Sequence, residues 1–208
     1  MSRRKKSTGG SPGRARKPSS AATGSARERL LDAARDVVAA SGWNAATSRV
    51  LADHAGLNLA LINYHFGGKD ALLLAALERS MVGLAEQLTV EPDQLDLARL
   101  GEDAMRFTAE HARSADVQML FAATLQAPHD ATVAATVKVH LDAFRAHVTR
   151  CVEQSVAAGQ LGSDTDVGAL GAAIAAMFDG ALLHALIDPG LDLNTAIAAA
   201  IRGWLRRG

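Results

Sequence analysis

From Leu61 to Asp70 the chain reads LINYHFGGKD. The Tyr64 O–H, the His65 N–H and the Lys69 ammonium are all hydrogen-bond donors suited to phosphate oxygens. Lys69 also stands at the start of the next helical run, where the N-terminal dipole favours an anion. Just upstream, Asn58, Leu59, Ala60 and Asn63 add a polar and small surface without a carboxylate. Such a face can enter a major groove, with Asn63 bonding a base edge and small apolar side chains meeting a thymine methyl. The chemistry on offer is recognition of a polyanion.

A surface of this kind needs a rigid mount, and the neighbouring sequence supplies one. Ser25 with Glu28 three residues on forms a capping box. Leu30, Leu31, Ala34, Val37 and Val38 follow at helical spacing until Gly42 ends the run. A second start lies at Thr47 or Ser48. Gly56 interrupts the stretch that continues to Phe66, so it reads as two short helices around a turn. Ala52 permits close approach, Gly56 takes a positive φ, and Ile62 packs between the pair. Asn58 is the expected N-cap of the second helix. From Asp70, Leu72, Leu73, Ala76, Leu84 and Leu88 predict a longer helix ending before Pro92.

Further helices are expected near 93–113, 116–127, 130–158, 165–187 and 194–206, with breaks at Pro128, at GQLGSD and at DPG. No alternating strand pattern competes with them. Ala, Leu and Val dominate, with only 4% aromatic residues, a mix that favours helix over strand. The fold class read from this is all-α.

The zero net charge conceals an asymmetry. Residues 1–27 hold eight cations and no acids, which leaves 14 cations against 22 acids in the remainder. Residues 1–24 lack apolar periodicity and read as a disordered basic arm, either a solvated tail or a second contact to a polyanion. The single cysteine, Cys151, excludes an intrachain disulfide and fits a reducing compartment. The basic N-terminus lacks the apolar region of an export signal, so a cytoplasmic location is expected. The nearly uncharged stretch Val167–Phe178 meets Asp179 and reads as too short to span a bilayer, and no membrane partner is expected.

With these elements in place, residues 25–86, including RERLLDAARDVVAASGWNAATSRVLADHAGLNLALINYHFGGKDALLLAAL, resemble the DNA-binding domain of TetR-type transcriptional regulators. The shared elements are an apolar first helix, a Gly-aromatic pair, a Thr-started helix, Ala-Gly at the turn, an aromatic-x-His-Phe run and a following Lys. One departure is visible. The tyrosine common before x-His-Phe is replaced by Asn63, and the aromatic stands at Tyr64, giving NYHF. The resemblance implies a DNA-facing set of Thr47, Ser48, Arg49, Asn63, Tyr64, His65 and Lys69, to which the groove argument adds Asn58, Leu59 and Ala60. Arg49 can reach a guanine edge or a phosphate.

The resemblance also implies that residues 87–208 form a helical effector-binding and dimerisation domain. Candidate pocket residues are Met105, Met119, Phe121, Phe144, Met177, Phe178 and His184, with Phe107, His111, His140 and His147 nearby, although apolar residues at helical spacing are usually core. Gly168, Ala172, Ala176 and Gly180 form an i+4 row of small residues that lets another helix pack close. With Ile197, Ile201 and Trp204 they make a candidate dimer interface, an intrachain core being the equally good alternative. His140 and His147, seven apart without a nearby acid, make a poor metal site.

No Gly-rich phosphate loop, HExxH, GxSxG or CxxC is present, and Cys151 has no activating neighbour in sequence. The expectation is a homodimeric regulator, not an enzyme, that needs no cofactor. It binds a palindromic double-stranded operator and is released by a small-molecule effector. A DNA-binding dimer without an effector is the alternative.

Overall fold

The computed structural model describes residues 24–87, 97–188 and 190, with positions 195, 197, 199–201 and 203 beyond them. The basic arm through residue 23, Leu88, residues 93–96 and Trp204 lie outside the described residues. Among the described residues there are helices and no strands.

Helix α1 (Ala26–Ser41) opens on the expected capping box. The Ser25 N–H donates to Glu28 Oε2 at 2.7 Å, and the Glu28 N–H donates to Ser25 Oγ at 3.3 Å. Gly42 at φ +83° ends it. A 3-10 turn over Trp43–Ala45 leads to α2 (Ser48–Ala55), capped by Thr47 Oγ1, which accepts from the Val50 N–H at 3.3 Å. Gly56 takes the left-handed conformation at φ +62°, open to glycine at no steric cost. Helix α3 (Ala60–Phe66) follows. Its formal N-cap is Leu59, yet the capping oxygen is Asn58 Oδ1, which accepts from the Ala60 N–H at 2.9 Å.

Gly67 at φ +80° closes α3 and turns the chain into α4 (Lys69–Gln87). Then come α5 (Leu97–His111), α6 (Ala115–Gln126), a 3-10 turn at Ala127–His129, α7 (Ala131–Ala157) and α8 (Val167–Ile187). Ser114, Asp130 and Asp166 cap the last three helices with side-chain oxygens. The described positions between 195 and 203 are helical.

Two apolar cores hold the chain. The first joins α1–α4 to α6 and the start of α7, with Leu30, Leu51, Ile62, Leu72, Leu77, Val117 and Met119 almost fully buried. At about 1.5–3 kcal/mol per buried large apolar side chain, this core fixes α1–α4 to α6. The second gathers Leu97 and Leu100 of α5, Val148 and Val152 of α7, Ile174 and Phe178 of α8, and Ile197 and Ile201.

Three sequence expectations change here. Ile197 and Ile201 do not face a partner, because both are buried in the second core, where a Cβ on Gly101 would stand 2.7 Å from Ile201 Cδ1. The apolar stretch does not stop at Asp179: α8 continues to Ile187, so its 21 residues are long and apolar enough by length and composition to cross a membrane. Much of one face of α8 packs instead on α7. The close approach there uses Gly171, whose absent Cβ would sit 2.5 Å from Thr149 Oγ1 and 3.0 Å from its Cα. The small row at 168, 172, 176 and 180 lies beside that contact, and a Cβ on Gly180 would meet nothing within 4 Å.

Candidate functional site

The helix-turn-helix is built on the predicted triplet: Ala52 and Ile62 are 2% and 1% exposed, and Gly56 makes the turn. Burying Ile62 turns the opposite side of α3 outward. Asn58, Leu59, Ala60 and Asn63 are exposed there, and Tyr64 is 81% exposed, a large value for an aromatic side chain. Thr47 and Arg49 are exposed, whereas Ser48, His65 and Lys69 are half-buried. All ten residues lie between Thr47 and Lys69, on or beside α2, α3 and the start of α4, and none of them is buried. Thr47 already spends a lone pair on its cap, which leaves its hydroxyl proton free to donate.

Several contacts fix the pose of α3. The His65 ring lies edge-on to Tyr64, with centroids 4.9 Å apart, and the Arg27 guanidinium sits 5.2 Å from the Phe66 ring centroid. The Arg29 guanidinium donates to the Ala55 carbonyl at 2.5 Å and is 3.4 Å from that of Gly56, so a cation of α1 caps the C-terminus of α2. No local sequence signal marks Arg29, because its partners are 26 and 27 residues away. Lys69 Nζ lies 2.7 Å from Asp70 Oδ1. With Asp70 82% exposed, that pair is worth at most about 1 kcal/mol and can open to an anion.

Away from the reading helices lies a cavity of about 30 Å³ among α4, α5, α6, α7 and α8, lined by Leu84, Ala104, Phe107, Thr108, Val117, Leu120, His140, Phe144, Phe178, Asp179 and Leu182. Phe144 and Phe178 meet edge to face with centroids 6.4 Å apart. Of the seven pocket candidates only these two line it. Met119 is fully buried in the first core, and Phe121 and Met177 pack against the first and second cores. Met105 is half-buried on α5 away from the lining, and His184 is exposed. A helical period fixes which residues share a face but not which neighbour that face meets.

Phe107 and His140 belong to the lining, and Asp179, read from sequence only as an interruption, belongs there too. Burial pushes the Asp179 carboxyl above its usual range against the opposing pull of Arg145, and burial holds the His140 imidazole below its usual range. A second, open groove of about 580 Å³ runs between α4 and α7. Among the described residues no cluster of three or more His, Cys, Asp or Glu side chains could hold a metal ion.

Comparison with known proteins places this geometry. The pattern of the bacterial regulatory proteins of the tetR family matches residues 30–76, and that of the C-terminal region of BetI-type transcriptional repressors matches residues 104–207, half of the chain. No curated protein matches. Among solved structures, a transcriptional regulator from Rhodococcus sp. Rha1 superposes with a TM-score of 0.74 at 26% identity, over 88% of this chain and 97% of the other. A TetR-family regulator from Streptomyces coelicolor gives 0.74 at 24% identity over 88% and 89%. GusR of Salmonella enterica gives 0.71 at 18% over 87% and 95%. These last two likenesses are of fold. The chain belongs to the TetR family: it is a DNA-binding transcriptional regulator and not an enzyme.

Proposed function

We propose that the protein is a homodimeric repressor that occupies a palindromic operator and leaves it when a small molecule binds the second domain. The observation that carries the reading is the exposed face of α3. Asn58, Leu59, Ala60 and Asn63 turn outward beside a highly exposed Tyr64, and that helix face bears no carboxylate. Asn63 reads a base edge, Leu59 and Ala60 meet thymine methyls, and Thr47, Ser48, Tyr64, His65 and Lys69 hold phosphates. Arg49 adds a base or phosphate contact. A regulator of this kind works in the cytoplasm, where its DNA is.

Dimerisation uses the small row Gly168, Ala172, Ala176 and Gly180, extended by Leu183 and Ile187, which are 42% and 74% exposed. A second copy of α8 laid on that row covers the apolar residues that α7 leaves open. Release is a population shift. An effector that binds one arrangement of the second domain more tightly changes the separation of the two reading heads, with α4 as the lever.

The second reading, a dimer with no effector, draws support from the small size of the inner cavity, about 30 Å³. The α4–α7 groove favours the effector, because about 580 Å³ falls within the range of small-molecule sites. Duplexes selected from a random pool by the purified protein test the main reading. Enrichment of an inverted repeat supports it, and enrichment of an unrepeated half-site or of nothing counts against it.

A further inference from the structure

The inner cavity and the α4–α7 groove share one side chain, His140. On the inner side Phe107, Phe144 and Phe178 contribute apolar rings, and Asp179 contributes the one carboxylate of the lining. Among the described residues the Asp179 side chain makes no hydrogen bond or salt bridge. Arg145 acts on it electrostatically but is bonded to Asp142 at 2.8 Å. A half-buried carboxylate that shares its cavity with aromatic rings has no directly bonded counter-charge among the described residues, and a cation there would both pair with it and face the negative side of the rings.

Hydrogen bonding narrows the cation. A primary ammonium can donate charge-assisted N–H bonds to the Asp179 carboxylate, which a trimethylated nitrogen cannot. On the outer side the groove is lined by Met81, Val82, Ala85, Ala135, Val139 and Ala143 together with Thr136 and the exposed Glu78, and Val82 and Val139 are 58% and 71% exposed. Its apolar part suits a hydrocarbon body. The imidazole that lines both spaces is held below its usual range by burial, which disfavours a positive charge there that would compete with a cation.

We infer that the effector is an amphipathic primary amine, whose ammonium enters the inner cavity against Asp179 while its apolar body lies in the α4–α7 groove. This rests on the effector-release reading above. Because α4 forms one wall of the groove, occupancy presses on the helix that leads to the reading head.

The test is thermal unfolding of the full-length protein with straight-chain primary amines of four to ten carbons. Each is matched to the alcohol, the carboxylate and the trimethylammonium compound of the same chain length. The expected result is a saturable rise in melting temperature with at least one amine, and none with its partners at the same concentration. Asp179→Asn should weaken that amine by about tenfold or more, and Val139→Trp, on an exposed wall position, should weaken it by filling the groove. Equal effects of amine and alcohol, no saturable amine, or full amine affinity in either folded variant would overturn the inference. The same samples titrated with a selected duplex separate the two readings. Amine binding without loss of DNA affinity removes the release mechanism and leaves the ligand class standing, whereas DNA selection without amine binding removes the ligand class alone.

Discussion

Ser80 Oγ on α4 donates a 2.7 Å hydrogen bond to Asp116 Oδ1 in the first turn of α6, and Ser80 is 2% exposed. The adjacent Arg79 bonds Asp32 of α1 at 2.6 Å, while Arg35 of α1 feels the Asp116 charge. Helix α4 is thus tied by polar contacts both to α1 and to α6. Ser80→Ala should destabilise the protein by about 1–3 kcal/mol, read from urea unfolding. It should also reduce the loss of operator affinity that an effector causes. An unchanged unfolding midpoint would remove this contact from the account.

Asn63 and Lys69 should fail differently. Lys69→Ala should weaken binding across all operator variants and lower the slope of log affinity against log salt by about one phosphate contact. Asn63→Ala should relax base preference at one position, at a cost of about 1–3 kcal/mol for the preferred site. Fluorescence anisotropy with a panel of point-substituted duplexes at several salt concentrations separates the two. Equal loss of base preference in both variants would contradict the assigned roles.

Two glycines of α8 should also part company. Gly171→Val drives methyl groups into the Thr149 backbone and should cost about 1–3 kcal/mol of stability or more. Gly180→Arg, at a position where a Cβ meets nothing, should leave the subunit folded and abolish the dimer in sedimentation. A folded dimer in the Gly180→Arg variant would move the interface elsewhere.

Acid should weaken the protein through two half-buried histidines. Burial holds His140 below its ordinary value of 6.5, and burial together with Arg150 does the same for His147. The unfolded chain therefore binds more protons below pH 6.5, so this contribution is present above that pH and is lost as pH falls through the folded values. Asp179 acts in the opposite sense. Its carboxyl is raised from 3.8, so its contribution is present below 3.8 and is lost as pH rises through the folded value. Urea midpoints between pH 7.5 and 5.5 should fall less in the double variant His140→Gln and His147→Gln than in the parent. An identical fall would exclude these two groups as the cause.

What the sequence discloses here follows from the range of each interaction. Caps and turns act over three or four residues, so Ser25, Thr47, Asn58, Gly56 and Gly67 mark the boundaries of the reading head directly, and Ala52 and Ile62 mark its packing. The second domain depends on rotation between distant helices. Gly171, about 100° round the helix from Ala172, makes the close contact with α7, and nothing local distinguishes it from the neighbouring small row. Ile197 and Ile201 look equally suited to a partner or to their own core until Gly101 opens space for Ile201. Met119 and Met177 stand next to lining residues Leu120 and Phe178 yet turn to other neighbours. Arg29 and Asp179 were illegible because each acts across a contact that only folding creates.

The central claim is that two copies of α3 read one duplex together. Sedimentation of the purified protein with a duplex selected from random sequence measures it directly. The account predicts a dimer in the absence of DNA and two subunits on an inverted repeat, with binding lost when one half-site is scrambled. A strictly monomeric protein, or one that holds the scrambled duplex as tightly as the repeat, would contradict it.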